Sequence, residues 1–378
     1  MKITNVKTTV LFCPFPEAIS DAARKIAGRD VLLIDIETDD GIIGTGVLTG
    51  LGVANGSEIH IIDAVIVQSL KPMLIGEDPL MINALWTKMY KGTTRFGRGG
   101  AIVRAISGVD IALWDLLGKI ANMPVYKLLG ANNGKVKVYA TGGFYNQDHD
   151  VEKLVAEMTD YVNDGFKAVK MKVGKDPAVD IERVKAVREA IGDNIDLLLD
   201  ANEGWDWGTA IRFIDNVEKY NIYWLEEPVA PDDIEGYIKL NEKSPIPIAA
   251  GENGYTKYEF KNLITRNAVS VVQPDVTRVG GITEWMKVAH FAEAYGIPCV
   301  THAVSEVHVT CVAAAPNAPM MEYFTHKQYL QTFMTELFIK PSGVRRMKDG
   351  FVYASEDPGL GLELNQELLK KYTVKVSE

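Results

Sequence analysis

Ala168-Val169-Lys170-Met171-Lys172-Val173-Gly174 sets two lysines two residues apart in an apolar run that ends on glycine. As a β-strand, the run sends alternate side chains to opposite faces, so Lys170 and Lys172 share one face. On a half-exposed strand the two ammonium groups would simply be hydrated. Inside a barrel, like charges held close lower each other's pKa, which leaves one lysine basic near neutral pH. The surrounding segments decide between these readings.

From about residue 136, short apolar runs alternate with helical stretches. The runs are 136–141, 168–173, 196–200, 222–226, 246–250, 269–273, 298–302 and 320–323, with helices such as 181–191 and 210–220 between them. Alternating strands and helices with buried apolar strands indicate a parallel sheet, and this many over about 200 residues suits a (β/α) barrel. An open doubly wound sheet is the alternative, but no glycine-rich phosphate loop follows the first strand. Upstream, 31–38 and 42–47 read as strands joined at Asp39-Asp40-Gly41, a hairpin turn. Residues 57–125 read as helical, with Val103, Ile106, Val109, Leu113, Leu116 and Ile120 forming an apolar face that stops before Pro124. This predicts an α+β domain over 1–130, completed by 350–378, and a barrel over 131–349, linked at Gly130-Ala131-Asn132-Asn133-Gly134.

Barrels of this kind carry their chemistry at the C-terminal ends of strands. Those ends hold Lys170 and Lys172, Asp200 with Asn202 beyond it, Glu226, Glu252, Asp275, His302 and Glu322. Asp200, Glu226 and Glu252 follow one another at intervals of 26 residues, about one β/α unit. Each alone could be a helix cap or a charged turn. Together they predict a site for a hard cation, and oxygen-only ligands favour Mg²⁺ over zinc. Asp275 beside His302 can fix the imidazole tautomer and raise its basicity. Lys172 and His302, on strands across the barrel from each other, would approach a substrate from opposite faces.

Composition narrows the partners. A net charge of −10, without a basic run, argues against nucleic acid or a membrane surface. No apolar stretch is long enough to span a bilayer, and the N-terminus lacks a signal peptide's apolar core. Cys13, Cys299 and Cys311 form no CxxC pair, which fits a reducing cytoplasm. A small-molecule partner and a homo-oligomer are expected.

Lys170-Met171-Lys172, Asp200-Ala201-Asn202, Glu226-Glu227-Pro228, Gly251-Glu252, Asp275, His302 and Glu322 together resemble the mandelate racemase subgroup of the enolase superfamily. The stretch from Ile106-Ser107-Gly108-Val109-Asp110 to Leu117-Gly118-Lys119 and Val279-Gly280-Gly281 are similar to it as well. The resemblance implies a modified (β/α)7β barrel under a capping domain built from both termini, with Mg²⁺ on Asp200, Glu226 and Glu252. It implies Lys172 as base on one face and His302, oriented by Asp275, as acid or base on the other. Lys170 would lower the pKa of Lys172 and hold the substrate carboxylate, to which a protonated Glu322 would donate. Val300-Thr301 before His302 departs from the Pro or Ser common there, which leaves the adjoining pocket open.

The enediolate so formed can expel a β-hydroxyl, giving a 2-keto-3-deoxy acid, or be reprotonated on the other face. Dehydration of a sugar acid, an aldonate or aldarate, is the expectation; racemisation or epimerisation is the alternative. A cycloisomerase and an inactive sugar-acid binding protein come after them. The polar stretch 141–147, with Tyr145, and Asn202 are expected to meet substrate hydroxyls. Specificity is expected from the capping loops 12–29 and 49–56, with Arg29 and Arg95 as candidates for a distal carboxylate.

Overall fold

The computed structural model describes residues 1–51, 57–131, 133–145, 150–340, 344 and 347–378. The tip of the expected 49–56 loop, Asn146 and Gln147 of the polar stretch, and Asn132 of the linker lie outside them.

The N-terminal strands β1 (Ile3–Ser20), β2 (Lys25–Thr38) and β3 (Ile43–Leu51) form an antiparallel meander. Sequence alternation captured only parts of β2 and β3 and the first residues of β1. The β1–β2 register shifts between Pro14 and Ile19, where Pro14 and Pro16 have no N–H to donate. Among the described residues five α-helices follow: α1 (Ser57–Val65), joined through a π-helical turn at Ile66–Leu70 to α2 (Lys71–Leu74), then α3 (Ile82–Thr93), α4 (Gly100–Ile120) and α5 (Val125–Leu128). The predicted apolar face of α4 is buried from Val103 to Leu116, but so are Arg104, Ser107, Asp110 and Asp115. This helix is packed on all sides. Its Gly108 lets β3 approach so closely that a Cβ at Gly46 would lie 2.2 Å from the Gly108 carbonyl oxygen.

The barrel follows as β4 (Lys135–Gly142), α6 (Val151–Asn163), β5 (Ala168–Lys172), α7 (Pro177–Ile191), β6 (Asp196–Asp200), α8 (Trp207–Val217) and β7 (Ile222–Glu226). It continues with α9 (Ile234–Lys243), β8 (Ile248–Ala250), α10 (Thr256–Thr265), β9 (Val271–Val272), α11 (Gly281–Ala294), α12 (Ser305–Ala314) and β10 (Met321–Tyr323). The strands are parallel neighbours in chain order, and β10 pairs with β4. The seventh position is residues 298–302, expected as a strand. It is held by a bridge at Val272–Cys299 and backbone bonds from Val272 to Pro298 and from Val300 to Val272. The architecture is the expected (β/α)7β barrel.

One buried cluster fills the barrel: Tyr139, Ala168, Leu198, Trp224, Ala249, Val271, Val300 and Met320. Each barrel position contributes one residue. Two residues further along most of these strands the layer becomes polar: Thr141, Lys170, Asp200, Glu226, Gln273, His302 and Glu322. Pleat periodicity thus stacks the charged groups on an apolar plug.

Past β10 come β11 (Phe338–Lys340), β12 (Phe351–Tyr353), β13 (Glu363–Leu364) and β14 (Thr373–Ser377). Strand β14 pairs with β1, so the C-terminal segment does return to the first sheet. Within the tail assigned to the cap, however, Phe351–Tyr353 pairs antiparallel with barrel strand β4 instead. No helix among the described residues is long and apolar enough to cross a membrane.

Candidate active site

The lysine pair lies on the barrel side of β5, both side chains buried. Lys170 Nζ sits 2.6 Å from Glu226 Oε1, 2.8 Å from Glu322 Oε1 and 3.3 Å from Asp200 Oδ2. Lys172 Nζ donates to Asp200 Oδ2 at 2.5 Å and lies over the Phe144 ring. Two lysines in a barrel are therefore matched by acids on the next strands. This changes the expected titration of Lys172. Burial disfavours its charge and Lys170 repels it, but Asp200, with Glu252 and Glu226 behind it, outweighs them and holds the ammonium above the ordinary lysine range.

Asp200, Glu226 and Glu252 each offer an oxygen within 4.8 Å of the others, and all three are buried. Asp200 Oδ1 accepts from the Asn202 N–H at 3.0 Å. Glu226 Oε2 accepts from Gln273 Nε2 at 2.8 Å and Trp224 Nε1 at 3.2 Å. Glu252 Oε2 is buried without a hydrogen-bond partner, with His302 Nε2 3.5 Å away in ion-pair range. An orphaned carboxylate oxygen facing two further carboxylates, with no imidazole or thiolate within the set, fits a hard divalent cation such as Mg²⁺.

His302 Nδ1 lies 2.8 Å from Asp275 Oδ2, while Asp275 Oδ1 accepts from the Thr277 N–H and hydroxyl. Burial disfavours the imidazolium, but Glu252 and Asp275 prevail and raise the His302 pKa. Glu322 Oε1 accepts from Thr141 Oγ1 at 2.8 Å, and its Oε2 from the Ala303 N–H at 2.6 Å. A protonated Glu322 is what the resemblance implies; in the structure both of its oxygens accept hydrogen bonds. Burial alone would favour the neutral acid, but Lys170, His302 and Lys172 bring it down to about 2. Several turns after these strands carry non-glycine residues at positive φ: Asn202 at 40°, Glu203 at 66°, Glu227 at 41° and Ala303 at 50°. Such backbone is costly, and its clustering at strand ends is a mark of a functional rim.

One cavity is lined by Lys172, Asn202, Glu252, Asp275 and His302 from the barrel, by Arg29, Thr49 and Gly50 from β2 and β3, and by Asp21 and Arg24 from the turn between β1 and β2. Arg29, expected to meet a distal carboxylate, lines this cavity. Arg95 is exposed and does not line this cavity. Tyr145 is also corrected: its hydroxyl donates to Asp180 Oδ1 at 2.7 Å and its ring stacks under Arg183, outside the cavity. Its neighbour Phe144 takes the wall instead, with Phe324 and Leu330. These apolar residues were missed, as were Arg24 and Arg278. Arg278 follows Asp275 by one helical turn, and that spacing was the available signal.

Residues 5–130 match the pattern described as mandelate racemase / muconate lactonizing enzyme, N-terminal domain. Residues 153–368 match the enolase C-terminal domain-like pattern. The chain belongs to the mandelate racemase subgroup of the enolase superfamily. Among the relatives of this subgroup member is an arabinonate dehydratase of Saccharolobus solfataricus, 37% identical over 92% of this chain and 91% of its own. A solved L-talarate/galactarate dehydratase from Salmonella typhimurium LT2, liganded with Mg and L-lyxarohydroxamate, is 33% identical. It superposes with a TM-score of 0.87 over 100% of this chain and 94% of its own. A racemase from Streptomyces coelicolor A3(2) with bound magnesium, 33% identical, superposes with a TM-score of 0.89 over 98% and 100%.

Proposed function

We propose that this chain is a Mg²⁺-dependent hydro-lyase that dehydrates a sugar acid to a 2-keto-3-deoxy acid. The carrying observation is that Lys172 and the His302–Asp275 pair line one cavity beside the carboxylates of Asp200, Glu226 and Glu252. Dehydratase relatives acting on sugar acids, and one liganded with Mg, support it.

An α-proton beside a carboxylate is weakly acidic, because its removal concentrates charge on two oxygens. Asp200, Glu226 and Glu252 would hold Mg²⁺, which would supply Lewis-acid stabilisation of that charge. Lys170, a buried cation in the same layer, adds a fixed positive partner for the carboxylate. Glu322 anchors Lys170 at 2.8 Å and so acts as a positioning residue. Lys172 Nζ accepts the proton from C2 as the free amine, a role open to it only when Asp200 is engaged elsewhere. The C3–O bond then breaks with its electron pair on oxygen. His302 gives the leaving hydroxide a proton from Nε2, water departs, and the enol tautomerises to the ketone. Residues 1–130 with the returning β14 segment act as the cap; residues 131–349, with Phe351–Tyr353, act as the barrel.

Racemisation or epimerisation is the second reading, favoured by two acid–base groups on one cavity and by the racemase among the solved relatives. Incubating aldonates and aldarates with Mg²⁺ in D₂O separates the two. Keto product supports dehydration, while deuterium incorporation with inversion and no keto product overturns it. A mere sugar-acid binding protein would give neither.

A further inference from the structure

Arg29 projects from β2 of the cap, in register with Cys13 on β1 and Leu51 on β3, into the cavity that holds Lys172 and His302. Its side chain is 5% exposed. Nε is buried without a partner, and among the described residues Arg29 makes no ion pair and no side-chain hydrogen bond. The other cations of the cavity are engaged. Lys172 holds Asp200, Arg24 holds Glu203 at 3.1 Å, and His302 holds Asp275. Arg278 donates to the Asn253 side chain at 2.7 Å and to the Glu252 carbonyl at 3.2 Å. Burial presses the Arg29 guanidinium down to about 10, which still leaves it charged near neutral pH.

We propose, on the basis of the function above, that the substrate is an aldarate, with a carboxylate at each end, and that Arg29 receives the one remote from the metal ligands. A buried guanidinium without an anion is unfavourable, and its planar fork matches a carboxylate in two parallel hydrogen bonds. Glu306 and Asp275 contribute to the field at Arg29, but neither pairs with it: Glu306 Oε1 is taken by Gln331 at 2.6 Å and burial raises its carboxyl, while the Asp275 oxygens are taken by His302 and Thr277. Asp30, the next residue on β2, points to the opposite face of the strand. An aldonate presents only a hydroxyl at its far end and would leave the charge unanswered.

The test compares aldarates with aldonates of matching configuration, by Mg²⁺-dependent formation of 2-keto product in wild type. Dissociation constants are measured in parallel on Mg²⁺-loaded Lys172→Ala. The diacid is expected to be favoured by roughly ten- to hundredfold, the worth of a charged hydrogen bond. Arg29→Met should collapse that ratio through KM rather than kcat, and Arg29→Lys should restore part of it. Keto product from monoacids alone overturns the aldarate inference and leaves dehydration standing. Diacid preference in binding, with α-proton exchange but no keto product, supports the inference and overturns dehydration. An unchanged ratio in Arg29→Met shows that Arg29 only balances Glu306 and overturns the inference. The wild-type ratio alone decides the matter if that variant does not fold.

Discussion

Asp110, in the middle of capping helix α4, accepts a hydrogen bond at 2.9 Å from the backbone N–H of Thr283 in the first turn of barrel helix α11. One domain thereby satisfies a free N–H at the start of a helix in the other. The other carboxyl oxygen, Oδ1, is buried without a partner. Burial raises the acid to about 7 against the pull of Thr283.

The sign of the resulting pH dependence follows from that shift. Between the ordinary aspartate value and about 7, folded Asp110 keeps a proton that the unfolded chain has lost, so stability falls as pH rises through that window. The loss is on the order of a few kcal/mol. Asp110→Asn keeps the acceptor and removes the titration. Denaturant unfolding of both proteins at pH 5 and pH 8 should show the variant gaining on wild type at the higher pH. Parallel profiles would contradict the assignment.

Asp200→Asn should weaken Mg²⁺ binding at least tenfold, read by calorimetry, because one of three converging carboxylates loses its charge. Thermal unfolding without metal checks that the fold persists. Undiminished affinity would remove Asp200 from the ligand set.

Lys172→Ala should lower kcat by roughly a hundredfold to ten-thousandfold, the range for a lost general base. Loss of α-proton exchange in D₂O should accompany it. A variant that still exchanges at the wild-type rate would assign proton removal to another group.

Asp275→Asn leaves His302 a neutral neighbour where it now has an anion at 2.8 Å. The imidazole should lose basicity, so the pH–rate profile should move to lower pH, with kcat falling more than KM changes. An unshifted profile would reduce Asp275 to scaffolding.

Gly46→Ala tests how tightly the cap is built. The added Cβ would lie 2.2 Å from the Gly108 carbonyl oxygen and 2.9 Å from the Ala112 nitrogen, all backbone that cannot rotate away. A loss of about 1–3 kcal/mol is expected in denaturant unfolding. An unchanged midpoint would mean that β3 can lift from α4.

Most of the polar layer was legible because a barrel strand repeats every two residues. Leu198 fills the barrel and Asp200 heads the site; Trp224 and Glu226, and Val300 and His302, stand in the same relation. Glu252 breaks that step, since Gly251 at φ 137° turns the chain just past β8. Its even spacing from Glu226 is what exposed it. Ionisation was less legible. The lysine pair alone argues for mutual repulsion, whereas the acids of β6, β7 and β10 dominate once folded. The cavity walls were harder still. Tyr145 and Phe144 differ by one residue, yet one is locked to Asp180 and the other faces the site. Arg29 and Arg95 read alike as sequence. Which of them meets the barrel depends on how the β1–β2 hairpin is laid across it, and no local periodicity encodes that.

The pairing of β14 with β1 has a consequence during synthesis. Thr8 to Leu11 emerge from the ribosome early, and their partners, Thr373 to Ser377, emerge almost a whole chain later. At usual elongation rates the wait is on the order of tens of seconds. Throughout it, one side of β1 presents unpaired N–H and C=O groups, a template for any passing extended segment. The nascent chain therefore spends its longest exposure with that edge of its cap open.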